Sequence, residues 1–177
     1  MAKKEISYLE YAPVTLEALE HPGLLLVTQG EEGKPNIMTI GWAAMGNLWV
    51  CPCFIVLVRP SRHSYGLLEE TGQFTVNVLP PDRANDAAYC GSVSGRDTDK
   101  FAECGLTAVP GRQVSVPIIG ECVIHYECRV VHFNQVAPET MPNDFVETAY
   151  PGGDYHRLFF GEILTAYAET PAGEETE

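Results

Sequence analysis

The sequence is poor in positive charge. Its 177 residues carry 11 lysines and arginines against 24 aspartates and glutamates, a net charge of −13 with the histidines neutral. A surface that negative repels nucleic acid and anionic lipid, so neither is expected as a partner. No apolar run approaches the ~18–20 residues that a membrane-spanning helix needs. The opening Met1-Ala2-Lys3-Lys4-Glu5-Ile6 has neither the apolar stretch nor the cleavage pattern of a signal peptide, so a cytoplasmic protein is expected. The 6 cysteines include no C-x-x-C pair and no zinc spacing, and no metal site is expected. Cys51-Pro52-Cys53 is the nearest pair, with reduced thiols its expected state. H-E-x-x-H, a Ser-His-Asp set and internal repeats are absent. So is G-x-G-x-x-G, which excludes a nucleotide-binding βαβ unit.

Hydrophobic residues at 45% and charged residues at 20% describe an ordinary globular chain. A length of 177 residues suits one domain, here 1–177 with a core over about 15–168. Glu174, Glu175 and Glu177 are expected to form a solvated acidic tail.

Only small helices are expected. The first is a short stretch around Thr15 to Leu19, ended by Pro22. Gly23 to Gln29 is a continuous apolar run, the pattern of a strand buried on both faces. Residues 30–34 form a hairpin loop, and the return strand runs from Pro35 toward Met45. Gly46-Asn47 then turns the chain toward Leu48-Trp49-Val50. Phe54 to Val58 is another buried strand. A helix follows over roughly 62–71, with Ser61 or Ser64 as its cap and Gly72 as its stop. Residues 74–79 alternate as a half-buried strand. A short helix over 82–90 comes next, then a glycine-rich loop leading to a second short helix capped by Asp97. Residues 106–119 read as loop with short extended pieces. Gly120 to Gln135 is the longest strand, 136–153 a long loop, and Tyr155 to Ala168 the last strand, with a bulge at Gly161. Many strands with short connections indicate a mainly β fold, a barrel or sandwich with small helices.

Two segments have the chemistry of anion sites. Arg59-Pro60-Ser61-Arg62-His63-Ser64 places two arginines, a histidine and hydroxyls at a helix start, where backbone N–H groups favour phosphate. Ser94-Gly95-Arg96, with Lys100 following, combines a glycine loop, a hydroxyl and cations before another helix. In the strand from Pro35, Asn36, Met38, Ile40 and Trp42 share one face. A flat ring system would suit that surface, and Gly41 would admit it close to the backbone. The alternative puts Met38 and Trp42 in the core. Of the five histidines, His63 and His156 are the candidates for a site. His21 sits beside a proline in a turn, and His125 and His132 fall on opposite faces of one strand.

In order, Pro35-Asn36-x-Met38-Thr39-x-x-Trp42, Arg59-Pro60-x-Arg62-His63-Ser64, Phe74-x-Val76-Asn77, Ser94-Gly95-Arg96-Asp97-x-Asp99-Lys100-Phe101 and His156-Arg157-Leu158-x-Phe160-Gly161-Glu162 resemble the flavin reductase-like, FMN-binding split-barrel proteins, and the flavoredoxin branch most. The resemblance implies a homodimeric, six-stranded Greek-key split barrel with FMN near the dimer interface. It implies Asn36, Met38, Thr39, Gly41 and Trp42 beside the isoalloxazine and ribityl chain, and Arg59, Arg62, Ser64, Ser94 and Lys100 at the phosphate. His63, Gly95 and His156 complete the candidate set. Family members more often carry Ser or Thr where Gly41 stands, which removes a possible flavin hydrogen bond. They more often carry Tyr-Thr where His63-Ser64 stands, a change that keeps a hydroxyl. The implied activity belongs to FMN, not to any catalytic side chain: electrons or hydride pass from NAD(P)H or a redox protein to a flavin, a metal chelate or a protein. A flavoredoxin-type electron carrier and a non-catalytic FMN-binding module are the alternatives.

Overall fold

A computed structural model describes residues 3–169; the acidic tail lies outside the described residues. In chain order the elements are β1 (Lys3–Glu5), α1 (Tyr8–Glu20), β2 (Leu24–Gln29), β3 (Pro35–Ile40), β4 (Ala43–Leu48), β5 (Cys51–Val58), α2 (His63–Thr71), β6 (Gln73–Val78), α3 (Ala84–Ser92), α4 (Lys100–Glu103), β7 (Ala108–Val109), β8 (Ile118–Ile119), β9 (Ile124–Gln135), α5 (Asn143–Ala149) and β10 (Arg157–Glu169).

The main sheet is antiparallel and runs β3-β2-β6-β9-β10-β5-β4, with β1 added on β10. Its two ends are the two halves of one chain segment, because β3 and β4 are separated only by Gly41 and Trp42. Counted as one kinked strand, they bring the path back on itself through six strands. The expected split barrel is therefore present, but the single strand expected from Pro35 to Met45 is broken. Its first half pairs with β2 and its second with β5. The break falls at Gly41 and Trp42, and a Cβ at Gly41 would approach nothing closer than the Leu19 carbonyl, at 4.0 Å.

The barrel interior is filled by Leu24, Leu26, Phe54, Val56, Phe74, Val76, Tyr126, Cys128 and Phe159. The other face of β2 packs Leu25 and Val27 against Ile37, Ala87, Cys90 and Ile119. This double burial is what the uninterrupted apolar run anticipates. The expected bulge is seen as a register shift at Phe160/Gly161. Gly161 packs on the Phe74 ring so closely that a Cβ would overlap it. All six cysteines are free thiols, and among the described residues no helix is long and apolar enough to cross a membrane.

Several local expectations need correction. α1 spans 13 residues despite Pro13 within it. Tertiary contacts hold it: Leu19 enters the core, and the Thr15 hydroxyl meets the Tyr126 hydroxyl at 2.7 Å. The turn expected at Gly46-Asn47 lies instead at Trp49-Val50, the two-residue tip joining β4 and β5, where both residues have positive φ. β6 is buried on both faces because the 111–119 segment covers it: Thr75 donates to the Pro117 carbonyl, and Asn77 accepts from the Ile119 amide. Neither Ser61 nor Ser64 caps α2; the Ncap is Arg62, with no side-chain hydrogen bond. Asp99, not Asp97, caps α4, accepting from the Phe101 and Ala102 amides. The long loop at 136–153 contains α5. Gly72 does end α2 in the left-handed conformation, φ 60°.

Candidate functional site

β3 ends the sheet path, so one edge of it carries no partner strand among the described residues. A cleft runs along that edge, in two adjoining cavities that share Met38, Thr39 and Arg62. One, of about 350 Å³, is polar; the other, of about 230 Å³, is bordered by Trp42, Ile40 and Leu57 together with Arg59, Arg62 and His156.

The polar cavity gathers Asn36, Met38, Thr39, Arg62, His63, Ser64, Ser94, Gly95 and Lys100 from the candidate set. Arg62, His63 and Ser64 stand at the start of α2, which no side chain caps, so its first amides face the cavity with the positive end of the helix dipole. Ser64 is buried, and its hydroxyl accepts from Asn36 Nδ2 at 2.8 Å. Thr39 donates to the Ala87 carbonyl at 2.6 Å, tying β3 to α3. Gly95 approaches Asn36 so closely that a Cβ would overlap its amide. Its turn is held by the Ser94 hydroxyl, which accepts from the Arg96 amide at 3.2 Å.

Lys100 has a second duty that its sequence context hides. Its ammonium donates to the Ile37 carbonyl at 2.8 Å and to the Cys90 carbonyl at 2.7 Å, joining the open edge of β3 to α3. It is 5% exposed. Burial lowers its pKa, the nearby Cys90 thiol opposes that shift, and Arg62 adds to it. With two of three N–H bonds engaged, one remains for a ligand. His63 is also lowered, first by burial and then by Arg96 and Lys100.

The second cavity collects Met38, Thr39, Gly41, Trp42, Arg59, Arg62 and His156. Trp42 is 46% exposed, which rules out the core alternative for it. Its ring lies 5.0 Å from His156 and 6.2 Å, edge-on, from Tyr150. The Tyr150 hydroxyl and His156 Nδ1 share a hydrogen bond of 2.9 Å. Burial, and then Arg59, lowers the His156 pKa to about 4, so the imidazole is neutral at pH 7. Arg59 corrects an expectation: it does not line the polar cavity. Its guanidinium donates to the Ala149 and Asp154 carbonyls at 2.9 and 3.2 Å and holds the end of the long loop beside His156.

Every candidate residue thus lines one cavity or the other. Sequence reasoning missed Gly91, whose Cβ would crowd Thr39 at 3.3 Å, and Leu57, which shares the second cavity with Arg59. The alternation of β5 carries a signal for Leu57, since Leu57 and Arg59 lie two residues apart. It missed Tyr150 as the partner of His156; nothing in the pattern of the long loop marks it.

A flavin reductase like domain matches residues 17–176, nearly the whole chain. The chain belongs to the flavin reductase-like domain family. It is 36% identical over 140 residues to an uncharacterized protein of Archaeoglobus fulgidus, covering 78% of this chain and 68% of the relative. Its fold is similar to that of flavoredoxin of Desulfovibrio vulgaris, at a TM-score of 0.66 and 29% identity over 82% of this chain and 68% of the other. Flavoredoxin from Methanosarcina acetivorans gives a TM-score of 0.65 and 30% identity, over 82% and 67% respectively. An FMN-binding domain of a flavin reductases-like enzyme from Shewanella baltica has a similar fold, at a TM-score of 0.66 and 18% identity over 94% of this chain and 77% of that one. The residues present fit FMN. Guanidinium, hydroxyl and helix-start donors suit a phosphate at one end, and an aromatic wall beside a glycine suits a flat ring at the other.

Proposed function

We propose that the protein is an FMN-dependent oxidoreductase that holds the phosphate in the polar cavity and the isoalloxazine in the aromatic one. The observation that carries this reading is the junction, at Met38, Thr39 and Arg62, of a cavity lined by hydroxyls, Asn36 and cations with one lined by Trp42, Ile40 and Leu57 beside Arg59 and His156. FMN, when bound, supplies the electron-transfer chemistry, and the protein supplies binding, orientation and electrostatics. Arg62, Ser94 and the first amides of α2 bind the phosphate. Asn36, oriented by Ser64 and confined by Gly95, serves the neighbouring polar groups. Lys100 fixes the distance between β3 and α3 and offers its remaining proton. Trp42 and Met38 keep water from the ring, Gly41 leaves room for it, and His156 presents an uncharged polar group beside it.

The electron donor is NAD(P)H or a redox protein, and the acceptor a flavin, a metal chelate or a protein. A second reading, an electron carrier of flavoredoxin type, draws support from the 29% and 30% identities to two flavoredoxins. A homodimer belongs to the proposal as well. Val50 is fully exposed and Trp49 59% exposed at the β4–β5 tip, with Val131 and Phe133 bare on β9. Trp49 lies 5.4 Å from His132 and 5.5 Å from Phe160, so the tip packs beside these strands and its exposed side chains are available to a second copy. Free thiols throughout the described residues are in keeping with a cytoplasmic location.

The test is to release the pigment of the purified protein by heat and identify it by chromatography, then to mix the loaded protein with NADH or NADPH without oxygen. FMN released and rapid bleaching support the reductase. FMN with slow bleaching but ready chemical reduction supports the carrier. No flavin bound after incubation with excess FMN overturns both. Light scattering tests the dimer separately.

A further inference from the structure

Ala87 and Cys90 lie on the buried face of α3, and Cys104, at the end of α4, packs against the same cluster. The two sulfurs are 3.9 Å apart. A disulfide needs them at ~2.03–2.05 Å, so an approach of about 2 Å would join them. Their backbones are already tied side by side, since Arg83 donates to the Cys104 carbonyl at 2.8 Å and to the Asp86 carboxylate on α3. The stretch from 90 to 104 carries Ser94, Gly95 and Lys100 of the polar cavity, and Cys90 itself lines that cavity. Lys100 donates to the Cys90 carbonyl and Arg96 to the Ser61 carbonyl at 3.0 Å. The stretch therefore closes over the cavity from α3 to the chain leading into α2.

We propose that Cys90 and Cys104 form a reversible disulfide by exchange with a low-molecular-weight disulfide, and that the bond holds the 90–104 stretch closed over the polar cavity. The second half rests on the flavin reading above, because FMN is the molecule so retained; the first half does not. Cys104 reacts first, being half-buried where Cys90 is 1% exposed. Its sulfur displaces one thiol from the small disulfide, and the Cys90 sulfur then displaces the second from the mixed disulfide. Two protein thiols are oxidised, one small disulfide is reduced to two thiols, and each protein thiol's proton goes to the displaced sulfur. Burial, and then Cys104, pushes the Cys90 thiol up to about 12, and burial raises Cys104 as well. Neither is held as a thiolate, so no charge stabilises the reduced pair, and exchange at pH 7 is slow. Cys51 and Cys53 are also close, at 3.7 Å. They stand two residues apart on one strand, near the upper limit of Cα spacing for a disulfide, and line neither cavity of the cleft.

The test is a long incubation of the FMN-loaded protein with excess oxidised glutathione, followed by blocking of the remaining thiols and peptide mapping by mass spectrometry. A Cys90–Cys104 bond is expected, with the other four cysteines blocked as free thiols. FMN release, followed by flavin fluorescence on dilution, is expected to be at least about threefold slower than from the reduced protein. Its ceiling is about a hundredfold, set by closing a loop of about 15 residues. Dithiothreitol is expected to restore the faster rate. Cys104→Ser, at a position outside the cavity lining, is expected to release FMN at the reduced rate whether or not glutathione is present. No Cys90–Cys104 bond under excess oxidised glutathione overturns the inference. So does a bond at Cys51–Cys53 in its place, or a Cys90–Cys104 bond that leaves FMN release unchanged or speeds it. Should Cys104→Ser fail to fold, the reversal of the wild-type rate by dithiothreitol decides the matter. A chain that forms the bond but never binds FMN leaves the disulfide standing and overturns the flavin reading instead.

Discussion

The polar cavity is set in the fold by hydrogen bonds between buried groups: Asn36, Ser64 and Lys100 are all at most 7% exposed, and each is bonded to another element. The aromatic cavity is bounded by Trp42, nearly half exposed, and by His156, whose ring has the Tyr150 hydroxyl as its side-chain partner. Damage to the first cavity therefore changes both the site and the stability of the protein. Damage to the second changes mainly the site. On the proposed reading, the polar cavity takes the phosphate end of the flavin and the second cavity its ring.

The largest effect is expected from Gly95→Val. The new side chain must displace the Asn36 amide, and FMN affinity should fall by about two decades or more, read by flavin fluorescence. Unchanged affinity would mean that Asn36 and Gly95 stand apart from the ligand. Lys100→Ala comes next. It removes a charged donor from two carbonyls, and hydrogen bonds to charged groups are worth roughly 1.5–3 kcal/mol. The variant should lose stability in urea and also bind FMN less well, whereas a purely phosphate-binding lysine would leave the urea midpoint alone. Arg62→Ala should be milder: FMN affinity about tenfold weaker, riboflavin affinity and stability nearly unchanged. Equal weakening of both ligands would remove Arg62 from the phosphate end.

A pH effect sharpens the comparison from the other side. Burial holds His156 at about 4, and burial with the adjacent Lys3 holds His125 at about 3. Both are neutral in the folded chain, while in the unfolded chain both take up protons as pH falls through about 6.5. Their contribution to stability is therefore complete above about pH 6.5 and declines as pH falls toward 4, with a slope of up to about 1.4 kcal/mol per pH unit for each histidine. His156→Gln should flatten that acid slope by one histidine's share in urea titrations. A slope that does not change would place the proton uptake elsewhere. The smallest effect should belong to Trp42→Ala. An aromatic contact adds about 0.5–1.5 kcal/mol, so FMN affinity should drop by up to about tenfold with little change in thermal stability. A large stability loss with normal FMN binding would return Trp42 to the core.

Much of this could be read from the chain. The apolar run of β2, the cations clustered in two short segments and the glycine at the end of α2 each have a local physical signature. The signatures failed where distant partners decide the outcome. Pro13 argues against a helix that Tyr126 and the core nevertheless hold. β6 reads as half-buried until the 111–119 segment covers it. Arg59 reads as a phosphate ligand from its sequence context, yet carbonyls ninety or more positions along the chain bind it. Lys100 joins β3 to α3 through two carbonyls, which spacing alone does not reveal. The period-2 pattern put Trp42 on one face with Ile40, but β3 ends at Ile40, which is buried in the core while Trp42 beyond the break is 46% exposed.

The most direct measurement is a titration of the apoprotein with FMN, riboflavin and FAD, repeated on Arg62→Ala. The account predicts that the wild type prefers FMN over riboflavin by at least about tenfold and that Arg62→Ala erases most of that preference. Equal affinity of the wild type for FMN and riboflavin would contradict it, because the polar cavity would then not be the phosphate site.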